Sequence, residues 1–273
     1  MKYLSYFLLF FTFGFTAFSQ EIYLPETTYI NYPFMTISFK NNEIRLWEAG
    51  TLDPVDYSPR TPERNLKGTY NLENIGGVNF INIQWENNQR ERFLILYNNE
   101  LCYLYKTDGN VYFRGFKIRG GAPGELTFPV SSRSTASSHL IEGNIVYSID
   151  KLNERIGECW VEGVPGHGIN ETLHINEWPG IDLNSIHISI GFVSFNRPHL
   201  YNQNSRPKKI ELSVVNKFSI TVDLNDTPNF QTINLPVGIG RNDILVLKIL
   251  EVYEGTRYED TCINMLLVDI GRY

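Results

Sequence analysis

The strongest constraint on the fold is a strict two-residue alternation of apolar and polar side chains in the second half of the chain. Ile186, Ile188 and Ile190 are separated by polar residues, and the run Phe218–Leu224 repeats the pattern. A period of two places one face of a strand on a core and the other toward solvent. Turn residues recur between these runs, so this half predicts a β-sandwich of two packed sheets.

The first half predicts a meander of short antiparallel strands without helical periodicity. Phe34–Phe39 and Glu43–Trp47 flank the dipeptide Asn41-Asn42, which is a hairpin signal. Aromatic residues make up 14% of the chain and favour strands. We therefore predict an all-β protein: a small barrel-like domain over residues 20–118, a linker over 119–133 and a two-sheet sandwich over 134–273.

The N-terminus has the three zones of an export signal. Lys2 is followed by the apolar run Phe7–Phe18, and Ala17-Phe18-Ser19 forms a small-x-small cleavage pattern. We predict a bacterial-type signal peptide over residues 1–19. The mature protein is then secreted, periplasmic or displayed on the cell surface.

The charge of the chain argues against nucleic acid as a partner. The formal net charge is −6, whereas binding to nucleic acid needs a basic surface that displaces counterions. No other apolar stretch approaches the length of about 20 residues that spans a bilayer, so no transmembrane span is predicted.

The three cysteines are too few for a disulfide scaffold. Cys159 and Cys262 both lie in the second half and form the favoured pair if a disulfide exists. The alternative is three buried free thiols, with Cys102 as the third. The sequence leaves both possibilities open.

Three segments of the second half carry a family resemblance. They are Trp160–Glu171 (WVEGVPGHGINE), the run from Gly191 to Lys208 that includes YNQNSRPK, and Val252–Ile263 (VYEGTRYEDTCI). In this order they resemble the NADase-type glycan-binding domain, also called the NAD glycohydrolase translocation domain. That family has a discoidin-like, coagulation-factor-C-type jelly roll similar to galactose-binding modules.

The resemblance implies glycan binding without the hydrolase activity. It stops before any NAD glycohydrolase domain, so the chain is expected not to be an enzyme. Asn264-Met265 stands where the family tends to have Ser-Glu, and a carboxylate there often helps to bind calcium in related sandwiches. No metal and no cofactor are predicted.

Sugar recognition pairs aromatic rings with a few fixed polar groups. The fork-shaped donors of arginine suit this task, and such groups lie on loops held by a rigid scaffold. The predicted glycan-binding residues share those chemistries and come from the resembling segments or the loop after the first of them. They are Trp160, Glu162, His167, Glu171, Trp178, Tyr201, Asn204, Arg206 and Lys208.

Two other functions stay open from the sequence. The sandwich could bind an envelope or cell-surface protein, as discoidin-like domains also do. A pair of carboxylates such as Glu162 and Glu171 could instead serve a glycosidase. No zinc spacing and no nucleophile elbow supports a different chemistry.

Overall fold

A computed structural model describes Leu24 and residues 27–31, 35–52, 59–117, 127–129, 133–176, 183–240 and 242–269. The predicted signal peptide and the candidate residue Trp178 lie outside these ranges. The described residues form an all-β protein with a barrel followed by a sandwich. The predicted fold class is therefore confirmed.

The first eight strands form a closed antiparallel barrel in chain order. Closure comes from β1 pairing with β8, with Tyr29 opposite Lys117. The strands are β1 Thr27–Asn31, β2 Met35–Lys40, β3 Glu43–Leu52, β4 Pro59–Ile75, β5 Val78–Trp85, β6 Arg90–Tyr97, β7 Leu101–Tyr105 and β8 Val111–Lys117.

The predicted hairpin at Asn41-Asn42 is present. Both residues have positive φ, 50° and 60°, which is the conformation of a tight turn that favours asparagine. The polar stretch over residues 52–65 contains prolines, and local rules therefore predict a loop there. This prediction is wrong in its second part, because strand β4 already begins at Pro59. Pro62 is accommodated opposite Ala49, where the register between β3 and β4 shifts.

The described residues of the second half form twelve short to medium strands and two single-turn helices. The helices are a 3-10 turn over Ile149–Lys151 and α1 over Leu200–Gln203. The strands are β9 Thr127–Pro129, β10 Thr135–Ala136, β11 Ile141–Glu142, β12 Ile145–Val146, β13 Trp160–Val161, β14 Thr172–Ile175, β15 Leu183–Ile190, β16 Arg206–Val214, β17 Phe218–Asp223, β18 Gln231–Ile239, β19 Leu245–Tyr253 and β20 Cys262–Asp269.

Two sheets face each other in this sandwich. One has the order β10-β14-β19-β16-β17, and the other has the order β13-β20-β15-β18 with β9 also paired to β20. Their inner faces share an apolar core that includes Ile186, Leu212 and Leu247, each with no exposed surface. The apolar positions of the alternation thus face inward. The polar residues between them in β15, Ser185, His187 and Ser189, are buried as well, so the predicted exposure of the second face is wrong for this strand. β9 lies in the part of the chain predicted as a linker and pairs with the sandwich.

The barrel and the sandwich share a second apolar cluster. The barrel contributes outward-facing residues such as Leu94 and Tyr103, and the sandwich contributes Phe230, Met265 and Leu267. The barrel interior has its own core, which includes Phe39 and Trp85. Strands β5 to β7 are therefore covered on both faces, which explains their nearly continuous apolar runs.

Polar contacts surround this shared cluster. Arg114 on β8 forms an ion pair of 2.6 Å with Glu154 of the sandwich. The backbone N–H of Ile156 donates to the carbonyl of Gly109 at 3.1 Å, and Asn98 donates to Thr232 at 3.1 Å. These contacts fix the relative position of the two halves.

No helix among the described residues is long and apolar enough to span a bilayer.

Candidate functional site

A shallow pocket of about 150 Å³ lies beside the β11–β12 hairpin of the sandwich. Four chain segments meet there: the hairpin with its flanking residues, strand β13, the stretch from β15 to just past α1, and the loop before β20. The lining residues are Leu140, Glu142, Tyr147, Val161, Phe192, Arg197, Leu200, Asn204, Tyr258 and Asp260.

A short backbone pairing brings the last two segments together. Ser205 forms a parallel bridge with Thr261. Its N–H donates to the carbonyl of Asp260 at 2.9 Å, and the N–H of Cys262 donates to the carbonyl of Ser205 at 3.0 Å. This pairing places Asn204 and Asp260 at the same pocket although they are distant in sequence.

Aromatic rings form one side of the pocket. Tyr147 and Phe192 meet edge to face with centroids 6.3 Å apart. The guanidinium of Arg197 lies over the Phe192 ring, 5.4 Å from its centroid, a favourable cation–π geometry. The pocket therefore combines apolar ring surface with a charged donor.

Two acidic side chains add negative charge to the pocket. Burial raises the pKa of Asp260, and the charge of Glu142 raises it further. Burial also raises the pKa of Tyr147, and the neighbouring Glu142 carboxylate acts in the same direction. Glu142 lines the same pocket as both groups, and its negative charge therefore acts on them.

Several polar groups of the pocket lack partners within the described part of the chain. Asn204 is 7% exposed, and its Nδ2 donates to the carbonyl of Leu200 at 2.8 Å. Its Oδ1 accepts no hydrogen bond from any described residue, and Arg197 and Asp260 form no ion pair with any of them. Unsatisfied polar groups around a concavity are what a ligand can bind.

Arg206, the central residue of the predicted site, is bound within the protein. Its guanidinium donates to both carboxylate oxygens of Asp226, at 2.7 and 2.9 Å. Its second terminal nitrogen donates to the carbonyls of Tyr201 and Asn204, and the residue is 5% exposed. These contacts support a structural role that holds the 201–206 segment in place.

Tyr201 belongs to the same network. Its hydroxyl donates to Asp226 at 2.9 Å, and its ring is buried between the barrel and the sandwich. Gly191, with φ of +85°, lies directly against this ring, and a Cβ there would come within 2.6 Å of it. The structure thus brings Tyr201, Asn204 and Arg206 together, and of the three Asn204 lines the pocket.

Two further predicted residues are fully buried. Trp160 lies in the core between the sheets, where its indole N–H donates to the carbonyl of Ser138 at 3.0 Å. Glu162 accepts from the N–H groups of Val164 and Thr261. Neither side chain reaches the pocket surface.

The other predicted residues are spread over the sandwich. His167 contacts the hydroxyl of Ser205 at 2.9 Å. Glu171 accepts hydrogen bonds from the hydroxyls of Ser137 and Ser138. Lys208 is paired with Glu251 at 3.2 Å. The role of each predicted residue in ligand binding stays a prediction.

The sequence reasoning missed most of the pocket. Glu142 lies outside the resembling segments, and Phe192, Arg197, Tyr258 and Asp260 lie inside them without having been selected. The available signal was the composition of the segment Gly191–Lys208, which contains a second arginine next to aromatic residues. Sequence alone does not distinguish an arginine with internal partners from one without.

The three cysteines are free and buried. Cys159 and Cys262 belong to one small apolar cluster, together with the pocket-lining Tyr147, Val161 and Phe192. No group of three or more His, Cys, Asp or Glu side chains in the described ranges could hold a metal ion.

A larger depression of about 560 Å³ lies on the outside of the barrel, across β4 to β6. Its charged groups are internally bound. Arg92 pairs with Glu73 at 3.0 Å, and Arg90 donates to Gln84 at 2.6 Å. It therefore offers a ligand fewer unsatisfied groups than the sandwich pocket.

Three comparisons relate the chain to known proteins. A model of the NAD glycohydrolase translocation F5/8 type C domain matches residues 128–269. No curated protein matches the chain.

Solved structures similar to the chain include two carbohydrate-binding modules. The family 32 CBM from C. perfringens NanJ, in complex with galactose, has 16% identity and a TM-score of 0.37, and the match covers 52% of this chain and 98% of that one. The CBM32 of AlyQ, in complex with 4,5-unsaturated mannuronic acid, has 10% identity and a TM-score of 0.36, with 54% and 99% covered.

The family match spans more than half of the chain and coincides with the sandwich and its pocket. The chain therefore belongs to the family of NAD glycohydrolase translocation F5/8 type C domains.

Proposed function

We propose that this protein binds glycans in the pocket beside the β11–β12 hairpin. The observation that carries the proposal is the pocket's combination of aromatic rings with polar groups that have no partner among the described residues. Phe192 and Arg197 supply a ring and a donor, and Asp260 and the Oδ1 of Asn204 supply acceptors. The Glu142 carboxylate, which interacts with the Tyr147 hydroxyl, adds negative charge.

This combination matches the chemistry of a sugar. A pyranose has an apolar C–H face that packs on an aromatic ring, and hydroxyl groups that donate and accept hydrogen bonds. A few fixed polar groups in a concavity orient such a ligand. We expect modest affinity, because the pocket is small and each hydrogen bond to the ligand replaces one to water.

A glycan array with the full mature chain tests the proposal. We expect a restricted set of glycans to bind, and calorimetric titration then gives the dissociation constant of the best one. A flat array with folded protein contradicts the proposal.

Substitution of Arg197 locates the site. Arg197→Ala removes a charged donor and a cation–π contact, so we expect affinity to fall roughly tenfold or more. Arg92→Ala is the matched control, because it also removes an arginine that lies over an aromatic ring, Phe80, and pairs with Glu73 on the barrel. If the Arg92 variant loses affinity and the Arg197 variant does not, the ligand binds elsewhere.

A protein partner is the second candidate function. It is favoured by apolar side chains on the hairpin that borders the pocket: Ile141 is 60% exposed, Ile145 54% and Val146 40%. Exposed apolar patches often mark interaction sites. Capture of a stoichiometric protein from native extract, unaffected by free sugar and abolished by Ile141→Ser, would favour this function.

We infer that the protein acts outside the cytoplasm and without catalysis of its own. The export-type N-terminus of the sequence supports the first inference, and the family's binding role supports the second. The lesser alternative, a glycan hydrolase, predicts release of shorter sugars from the ligands that the array identifies. Absence of such products at long incubation would exclude it for those ligands.

A further inference from the structure

The pocket is lined by several hydrogen-bond acceptors. Its acceptors include the carboxylates of Glu142 and Asp260 and the Oδ1 of Asn204. The Oδ1 is the most informative of them, because Asn204 is 7% exposed and its amide nitrogen is already bound to Leu200. A ligand must therefore present donors to this side of the pocket.

Among the described residues, Arg197 is the one cation that lines the pocket, and it lies on the aromatic side. Arg197 is over the ring of Phe192, and its charge acts on Tyr147. The charges that act on Asp260 come from Glu142 and Glu259, which are both negative. The region around Asp260 and Asn204 is thus rich in acceptors and carries negative charge.

Partial burial of Asp260 increases the effect of its charge, while Glu142 is exposed, so water screens part of the repulsion between the two carboxylates. An ammonium group between them would relieve the repulsion and donate up to three hydrogen bonds. Charge-assisted bonds of this kind are roughly twice as strong as neutral ones.

We propose that the pocket prefers glycans that carry a free, protonated primary amine, such as unacetylated amino sugars, over N-acetylated or neutral sugars. Asp260 and Glu142 bind the ammonium group, and the Oδ1 of Asn204 accepts one of its protons or a neighbouring hydroxyl proton. This inference depends on the proposed glycan-binding function and specifies its ligand class.

Matched oligosaccharides test the preference with the full chain. The β-1,4-linked trimers of glucosamine, N-acetylglucosamine and glucose differ in the substituent at C2, and galactosamine, N-acetylgalactosamine and galactose form a second set. We expect the amine to bind about tenfold tighter than its acetylated and neutral counterparts in at least one set.

Two variants separate a specific site from general attraction to an acidic protein. Asp260→Asn keeps the shape of the side chain and removes one charge, so the preference for the amine should shrink to about threefold or less. Glu86→Gln removes the same charge from an exposed turn of the barrel and should leave the preference unchanged. Equal loss in both variants would contradict the proposal.

The outcomes also separate this inference from the proposed function. Binding of neutral or acetylated sugars with no gain for the amines overturns the preference and leaves glycan binding intact. If neither these sugars nor any glycan on the array binds, both proposals are wrong.

Discussion

The barrel and the sandwich use their polar side chains differently. In the depression on the barrel, Arg92 and Arg90 are bound to neighbouring side chains. In the smaller pocket of the sandwich, Arg197 and Asp260 have no ion-pair partner within the described residues. The volume of a depression therefore does not identify the candidate site. The presence or absence of partners for its polar side chains does.

The same contrast separates two arginines within the sandwich. Arg206 has four hydrogen bonds to the protein and holds a chain segment in place. Arg197 lies over an aromatic ring at the pocket and is exposed. The two arginines are nine positions apart. Their contacts, and not their residue type, distinguish the structural role of Arg206 from the binding role proposed for Arg197.

The largest expected effect concerns the cluster that joins the two halves. Phe230→Ala removes a buried ring that packs edge to face against Tyr103 of the barrel, with centroids 5.0 Å apart. We expect a loss of about 3–5 kcal/mol in the free energy of unfolding. Hydrogen exchange should show reduced protection both in β6 and β7 and in β20. Reduced protection in the sandwich alone would mean that the barrel is stable without this contact.

A smaller effect is expected for the ion pair of Arg206. Arg206→Met leaves Asp226 without its cation, and Asp226 is partly exposed, so we expect a loss of about 2–3 kcal/mol in urea denaturation. Lys208→Met removes a cation from a half-exposed pair and should cost less than about 1 kcal/mol. Similar losses in the two variants would contradict the structural role assigned to Arg206.

The smallest effect concerns the pH dependence of stability. Burial raises the pKa of Glu162 above the value of about 4.3 in an unfolded chain. The folded state therefore favours the protonated carboxyl group of Glu162. The resulting contribution to the free energy of unfolding is fully present below the pKa of the unfolded chain and is lost as pH rises through the folded pKa.

Glu162→Gln is neutral at every pH and should escape that loss. The difference in free energy of unfolding between the variant and the wild type should therefore move in favour of the variant between pH 4 and pH 8. Urea denaturation at both pH values measures the difference. Movement in the opposite direction would show that the hydrogen bonds from Val164 and Thr261 outweigh burial.

The fold was largely predictable because local patterns determine it. The alternation at Ile186–Ile190 marks β15, and the dipeptide Asn41-Asn42 marks the β2–β3 hairpin. The length of β4 was not predicted, because Pro59 and Pro62 favour loops by local rules while pairing with β3 decides the outcome. Tertiary contact prevails over local preference there.

The candidate site was much less predictable. The sequence drew attention to the segment Gly191–Lys208, part of which lines the pocket, but selected Arg206, whose partner Asp226 lies twenty residues away. The pocket also depends on the bridge between Ser205 and Thr261. Such long-range pairings leave no periodic signal in a single sequence.

The cluster shared by barrel and sandwich has a practical consequence for how the protein is handled. A recombinant fragment cut at the family boundary near residue 128 would expose Phe230, Met265 and Leu267 to water, all of which are 3% exposed or less in the whole chain. Such a fragment would self-associate through this exposed apolar surface. Expression, storage and binding assays should therefore use a chain that includes the barrel, because the barrel shields this apolar surface of the sandwich from water.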